Sequence, residues 1–173
     1  KTKITNNEWH LNFKGAVNQS KTDSAIAKGH ESDGTKNYQL NLNGNKWINN
    51  NLKLKSTFYY RDTKSDYDKS ASQEESVTSD NKMYALQAGL ERDGQNYRDN
   101  LIFHYHNYDR KYYVQGKKDK YYSESLVAKA EKNLIFNNKL SYGYGGEYKY
   151  DWGHYLTKTF SSQTSGHLNN IGI

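Results

Sequence analysis

The sequence predicts an all-β chain, part of an antiparallel up-and-down β-barrel that crosses a membrane with strands. Three observations carry this. Apolar residues recur at every second position almost throughout, the period of a strand and not of a helix. The alternating stretches are about ten residues long, which suits a tilted membrane strand. The connections alternate between short and long, as they do when tight turns lie at one end of a barrel and polar loops at the other.

The elements follow in order. The first strand sets Trp9, Leu11, Phe13, Gly15 and Val17 against His10, Asn12, Lys14 and Ala16. The second sets Tyr38, Leu40 and Leu42 against Gln39, Asn41 and Asn43. The third has Leu52, Leu54, Phe58 and Tyr60 opposed to Lys53, Lys55, Thr57 and Arg61. Next come Tyr84, Leu86, Ala88 and Leu90, then Tyr97, Leu101, Phe103 and Tyr105. A weaker strand holds Leu126, Ala128 and Ala130. The clearest carries Leu140, Tyr142, Tyr144, Tyr148 and Tyr150. A last one starts near Gly166, which makes about eight strands. Residues 18–37, 62–81, 107–120 and 151–165 form the long connections, and 43–51, 91–96 and 132–138 the short ones. Turns are expected at Asn43-Gly44-Asn45 and at Asp93-Gly94.

Composition narrows the class. The 173 residues suit one domain or part of one. The chain has no cysteine, so disulfide frameworks, thiolate metal sites and cysteine nucleophiles are excluded. Its apolar share of 34% is low for a packed soluble domain, yet the 17 tyrosines are too many for a disordered tail. The net charge of +6 is spread among interspersed acids and bases, so it does not point to nucleic acid. The apolar runs, such as Leu134-Ile135-Phe136, are far too short for a transmembrane helix. The chain opens on Lys1 and ends in Asn169-Asn170-Ile171-Gly172-Ile173, which reads as a strand cut short and the whole as a fragment. One strand face is aliphatic at mid-strand and aromatic near its ends, as a lipid-facing surface with aromatic girdles is. The other carries Lys, Asn, Ser, Gly, His and Glu, which need water or each other. A half-exposed sheet in a soluble protein shows the same alternation, so that rival stays open.

Among the motifs, the long connections hold acidic clusters. The first has Asp23 and Glu31-Ser32-Asp33-Gly34, and the second Asp62, Asp66-Tyr67-Asp68, Glu74, Glu75 and Asp80. Such oxygens suit calcium if neighbouring loops converge, and otherwise read as ordinary solvated loops. The segment from Arg110-Lys111-Tyr112-Tyr113 to Lys120-Tyr121-Tyr122 mixes bases and aromatics. In a strand context it reads as a surface loop whose bases meet anionic lipid head groups. His104 and His106 share one face, without a third metal ligand placed by spacing. Glu147 has no acidic partner for acid–base chemistry on its strand. Gly143, Gly145 and Gly146 suit a bent or closely approached strand.

The chain resembles the barrel of TonB-dependent outer-membrane receptors, most nearly the cobalamin transporters. The likeness rests on Phe58-Tyr59-Tyr60-Arg61-Asp62 with Ser65-Asp66-Tyr67-Asp68, on 84–90, and on Tyr142-Gly143-Tyr144-Gly145-Gly146-Glu147-Tyr148. Cobalamin transporters hold calcium between two extracellular loops. The resemblance implies Asp23, Glu31, Asp33, Tyr67, Asp68 and Asp80 as that set, with Glu31 standing where the family pattern has Asp. It further implies a Gram-negative outer membrane, and a small-molecule substrate such as cobalamin or an iron chelate. The partners implied are membrane lipid and, through an N-terminal part, the TonB complex. Residues 1–173 would then be a partial barrel without the plug, short of the roughly 22 strands of a plugged transporter, and its chemistry would be binding and admission rather than catalysis. Two alternatives stand beside it. One is a complete barrel of about eight strands, structural or lipid-modifying. The other is a soluble β-sheet binding domain.

Overall fold

The computed structural model describes residues 2–5, 9–23, 32–70, 73–114, 117–137, 140–157 and 162–172. They form one antiparallel sheet of nine strands: β1 (Thr2–Thr5), β2 (Trp9–Asp23), β3 (Ser32–Asn49), β4 (Leu52–Ser70), β5 (Gln73–Asp93), β6 (Tyr97–Val114), β7 (Lys117–Asn137), β8 (Leu140–Thr157) and β9 (Ser162–Gly172). Order in the sheet is order in the chain. Among the described residues each strand touches only its sequence neighbours, so the sheet is open between β1 and β9. The expected all-β, up-and-down architecture is present.

Three details differ from the sequence reading. The short β1, with Ile4 as its apolar residue, was not expected. The turn expected at Asn43-Gly44-Asn45 is absent. β3 continues to Asn49, because Lys46 and Trp47 still pair with Leu54 and Lys53. The chain reverses at residues 50–51, where Asn49 Oδ1 accepts the backbone N–H groups of Asn51 and Leu52, both at 2.9 Å. Most of the residues assigned to long loops extend the strands instead. β2 to β8 are 15 to 21 residues long, whereas a tilted membrane crossing takes about ten. The turn at Asp93-Gly94 is where the sequence places it, closed by Gly94 N–H donating to the Tyr97 carbonyl at 2.8 Å.

Register sorts the side chains. Phe13, Leu42, Phe58, Leu86, Tyr105, Leu126 and Tyr150 lie in one unbroken row across seven strands. The same pairings put Leu11, Leu40, Leu54, Phe103 and Tyr142 on that face, as the alternation demands. His10, Asn12, Lys53, Lys55, Asn100, His104, Ser141 and Glu147 lie on the other. Tyrosines and tryptophans border the apolar band. Tyr84 and Tyr105 (ring centroids 6.1 Å apart) and Tyr122 and Trp152 (5.3 Å) stand toward one end. Tyr142 and Tyr144 (6.0 Å) stand toward the other, with Tyr97 between the cations of Arg92 and Lys132.

Among the described residues nothing covers the band. Leu86 is 44% exposed, Leu101 52% and Tyr142 60%, and Val77 is the sole buried hydrophobic among the described residues. Among the described residues the sheet has a single layer, with no second sheet packed on it as in a sandwich. On the polar face, hydrogen bonds cross between strands. Thr57 Oγ1 donates to Asn43 at 3.0 Å, Thr63 Oγ1 to Asn37 at 2.9 Å, and Thr35 Oγ1 to Ser65 at 3.2 Å. Thr63→Val removes one such donor and leaves the half-buried Asn37 carbonyl with one bond fewer. It should cost about 1 kcal/mol in a urea titration of the folded protein.

Candidate functional site

The side chains that alternation sends to the polar face create a pocket toward the β6–β7 hairpin. Asn81 on β5 pairs with Arg110 on β6, Arg110 with Tyr121 on β7, and Tyr121 with Tyr155 on β8. Two residues either side along β6 stand Tyr108 and Tyr112. Tyr108, Arg110, Tyr112, Asp119, Tyr121 and Tyr155 line a cavity of about 360 Å³. It thus has four tyrosines, one cation and one carboxylate.

Tyr108, Arg110, Tyr112, Asp119 and Tyr121 are each held by a neighbour. The Arg110 guanidinium lies over the Tyr112 ring, 4.2 Å from its centroid, and Arg110 also bonds the Tyr112 hydroxyl through Nη2. Tyr108 packs against Tyr121 with ring centroids 6.0 Å apart and donates its hydroxyl to Asn81 Oδ1 at 3.1 Å. Asn81 Nδ2 in turn donates to Ser79 Oγ at 2.9 Å. Asp119 accepts the hydroxyl of the buried Thr157 at 2.9 Å. One atom is left over: Arg110 Nε is buried without a hydrogen-bond partner. A cation stacked on one ring and surrounded by others suits a planar, electron-rich ligand carrying an acceptor.

The segment read as a basic, aromatic surface loop is therefore a strand hairpin, and its two faces differ. Arg110, Tyr112 and Tyr121 turn to the polar face. Lys111, Lys120, Tyr113 and Tyr122 turn to the apolar-band face, beyond the band. There Lys120 lies 5.6 Å from the Tyr122 ring centroid and Lys118 5.8 Å from that of Tyr113. These lysines and Arg110 therefore lie on opposite faces of the sheet. Period 2 applied to residues 108–113 would have separated the two groups.

The residues implied for calcium are placed as follows. Glu31 lies outside the described residues. Asp23 ends β2 opposite Ser32, while Tyr67 and Asp68 pair with Val77 and Ser76 in the β4–β5 hairpin. Asp33 pairs with Thr22, and Asp80 with Lys64 and Lys111. Alternation puts Asp33 and Asp80 on opposite faces of the sheet, so the structure does not bring these two together. Among the described residues no three His, Asp or Glu side chains gather as a metal site, His104 and His106 included.

No family model matches the chain, and no curated protein does. Solved structures share its fold. The chain is similar to the ferric yersiniabactin uptake receptor FyuA from Yersinia pestis, with a TM-score of 0.58 over 95% of this chain. Sequence identity is 11%, so the likeness is one of fold. The chain spans 31% of that receptor's length.

Proposed function

We propose that the chain is a stretch of the barrel of a TonB-dependent outer-membrane receptor that imports a metal chelate, either an iron complex or a corrinoid such as cobalamin. The observation that carries this is the uncovered apolar band on a single-layer sheet whose opposite face is polar. In water such a band is an association hazard. In a bilayer it is the required surface, and the polar face then lines a lumen. The fold likeness to an uptake receptor supports the same reading. So does the open sheet: lipid does not tolerate unpaired strand edges, so further strands would complete the barrel. A complete barrel of about eight strands would instead pair its end strands, and no such pairing occurs among the described residues.

The proposal is tested in the bacterium that makes the protein. Deleting the gene should remove the protein from the outer-membrane fraction. It should also lower uptake of at least one labelled chelate, from a panel of ferric complexes and cyanocobalamin, by ten-fold or more. Loss of TonB should lower the same uptake equally. If no chelate in the panel depends on the gene, the import reading fails.

A further inference from the structure

Resting on the membrane-barrel part of that reading, we propose that the lipid-facing side of the sheet holds one anionic phospholipid near its short turns. The phosphate sits between Arg92 and Lys132, and an acyl chain lies over Ala130 and Gly146. Register supplies the placement. Leu52, Arg92, Asp99, Lys132 and Tyr144 pair in one row across β4 to β8. The next row inward is Leu54, Leu90, Leu101, Ala130 and Gly146, on the face of the apolar band. The ionic row therefore borders the band, at the end where the chain reverses at residues 50–51 and 94–96. In a bilayer that is the depth at which hydrocarbon gives way to head groups.

The two cations are held together. Arg92 Nε donates to Asp99 Oδ2 at 3.0 Å, and Nη2 bonds the same oxygen. Lys132 Nζ stands 3.9 Å from Asp99 Oδ1. The Tyr97 ring centroid lies 5.0 Å from the Arg92 guanidinium carbon and 5.5 Å from Lys132 Nζ. One carboxylate and one ring thus fix two cations, which leaves the cluster a surplus of one positive charge. Asp99 engages Nε and Nη2, so the donors for a phosphate are Arg92 Nη1 and the Lys132 ammonium. Both side chains remain accessible, Arg92 at 51% and Lys132 at 38%.

The cations open onto a groove. Arg92, Lys132, Leu90, Leu101, Ala130 and Gly146 line one cavity of about 630 Å³, inside the range of about 300–1,000 Å³ usual for ligands. Ala130 and Gly146 keep its floor low between Leu101 and Tyr144, which are 52% and 53% exposed. A chain of methylenes lying there gains contact on both flanks. In a bilayer that gain is dispersion alone, because the chain leaves other chains and not water. Selectivity then rests on the head group. A phosphodiester without a cation of its own neutralises the surplus charge. A zwitterionic head brings an ammonium that competes for the phosphate and leaves the surplus unmet.

The experiment uses the full-length protein purified in detergent, with bound lipid counted by native mass spectrometry. The probes are dioleoyl phosphatidylglycerol and dioleoyl phosphatidylcholine, alike in their tails and added at equal concentration. The wild type should retain the glycerol lipid at least five-fold more than the choline lipid. Arg92→Gln combined with Lys132→Gln should abolish that preference. Lys129→Gln, on the polar face and of similar exposure at 40%, should keep it. Ala130→Phe fills the groove with the charges in place, and should lower retention of both lipids three-fold or more. Heat-modifiable gel mobility checks folding. If the double variant is not folded, Lys132→Gln alone replaces it and should at least halve the preference. Equal retention of the two lipids by the wild type overturns the inference, as does an unchanged preference in the folded charge variant. Unchanged retention in Ala130→Phe overturns the acyl groove. Uptake separates the two readings. Gene-dependent chelate uptake without lipid preference removes this inference alone. Lipid preference without gene-dependent uptake removes the import reading and keeps the lipid site.

Discussion

Leu86→Arg and Phe103→Arg should each prevent most of the full-length protein from reaching its folded form in the outer membrane. Both residues lie in the apolar band, 44% and 41% exposed, with no protein over them. If lipid covers them, an arginine there must be desolvated near the bilayer midplane, at about 2–4 kcal/mol per residue. That is a large part of the ~5–15 kcal/mol stability of a typical domain. The control sits one residue away. Gln87 and His104 face each other on the polar side, where Gln87→Arg meets water and should change stability by about 0.5 kcal/mol or less. Heat-modifiable mobility of outer-membrane fractions, with urea titration of protein refolded into vesicles, reads both. A soluble sheet predicts the opposite order. There the arginines would be harmless or would improve solubility, and that outcome removes the membrane reading.

The second large effect is expected at Gly145. A Cβ built there would sit 2.5 Å from the Ala130 carbonyl oxygen and 3.1 Å from Glu131 Cα. Those are backbone atoms of the neighbouring strand and cannot swing aside. Gly145→Val should therefore force β7 and β8 apart, at about 1–3 kcal/mol or more. Gly166, on β9, has nothing within 4 Å of the same position. Gly166→Val should be tolerated within about 0.5 kcal/mol. Equal effects at the two sites in the urea titration would show that close strand approach does not explain Gly145.

The faces of the sheet were legible in the sequence because one of them is apolar. Leu11, Leu40, Leu54, Leu86, Phe103, Leu126 and Tyr142 each sit two residues from another apolar or small side chain, and a one-residue slip would expose the error at once. The same signal vanishes where both faces are wet. Asp62-Thr63-Lys64-Ser65-Asp66 carries polar groups on either side, so nothing alternates, and the stretch reads as loop. What marks it as strand is weaker. Thr63, Val77 and Thr78 are β-branched, and no glycine occurs between Gly44 and Gly89. Opposite charges also meet across the strands, as Lys82 with Asp62 at 3.8 Å and Lys120 with Asp109 at 3.9 Å. Such pairs depend on register, which sequence does not display. The pocket was hidden for the same reason, since Tyr155 joins Tyr121 only through the β7–β8 pairing. The glycines at 143–146 were readable as a close approach, and Gly145 shows one.

Because every strand pairs with its neighbours in the chain, assembly of the sheet never needs a distant segment to be found first. Each hairpin closes a short loop, and the next strand adds to an edge already in place, so ordering entropy is lost in small steps. The arrangement behaves as a one-dimensional array, in which stability is a sum of hairpin and nearest-neighbour terms. A consequence for lineage follows: gain or loss of one hairpin changes the circumference by two strands and leaves every other pairing intact. Barrels of different girth can then descend from one another by duplication of a unit such as β6–β7. Such a unit would carry its lumen side chains with it, Tyr108, Arg110, Tyr112 and Tyr121 included.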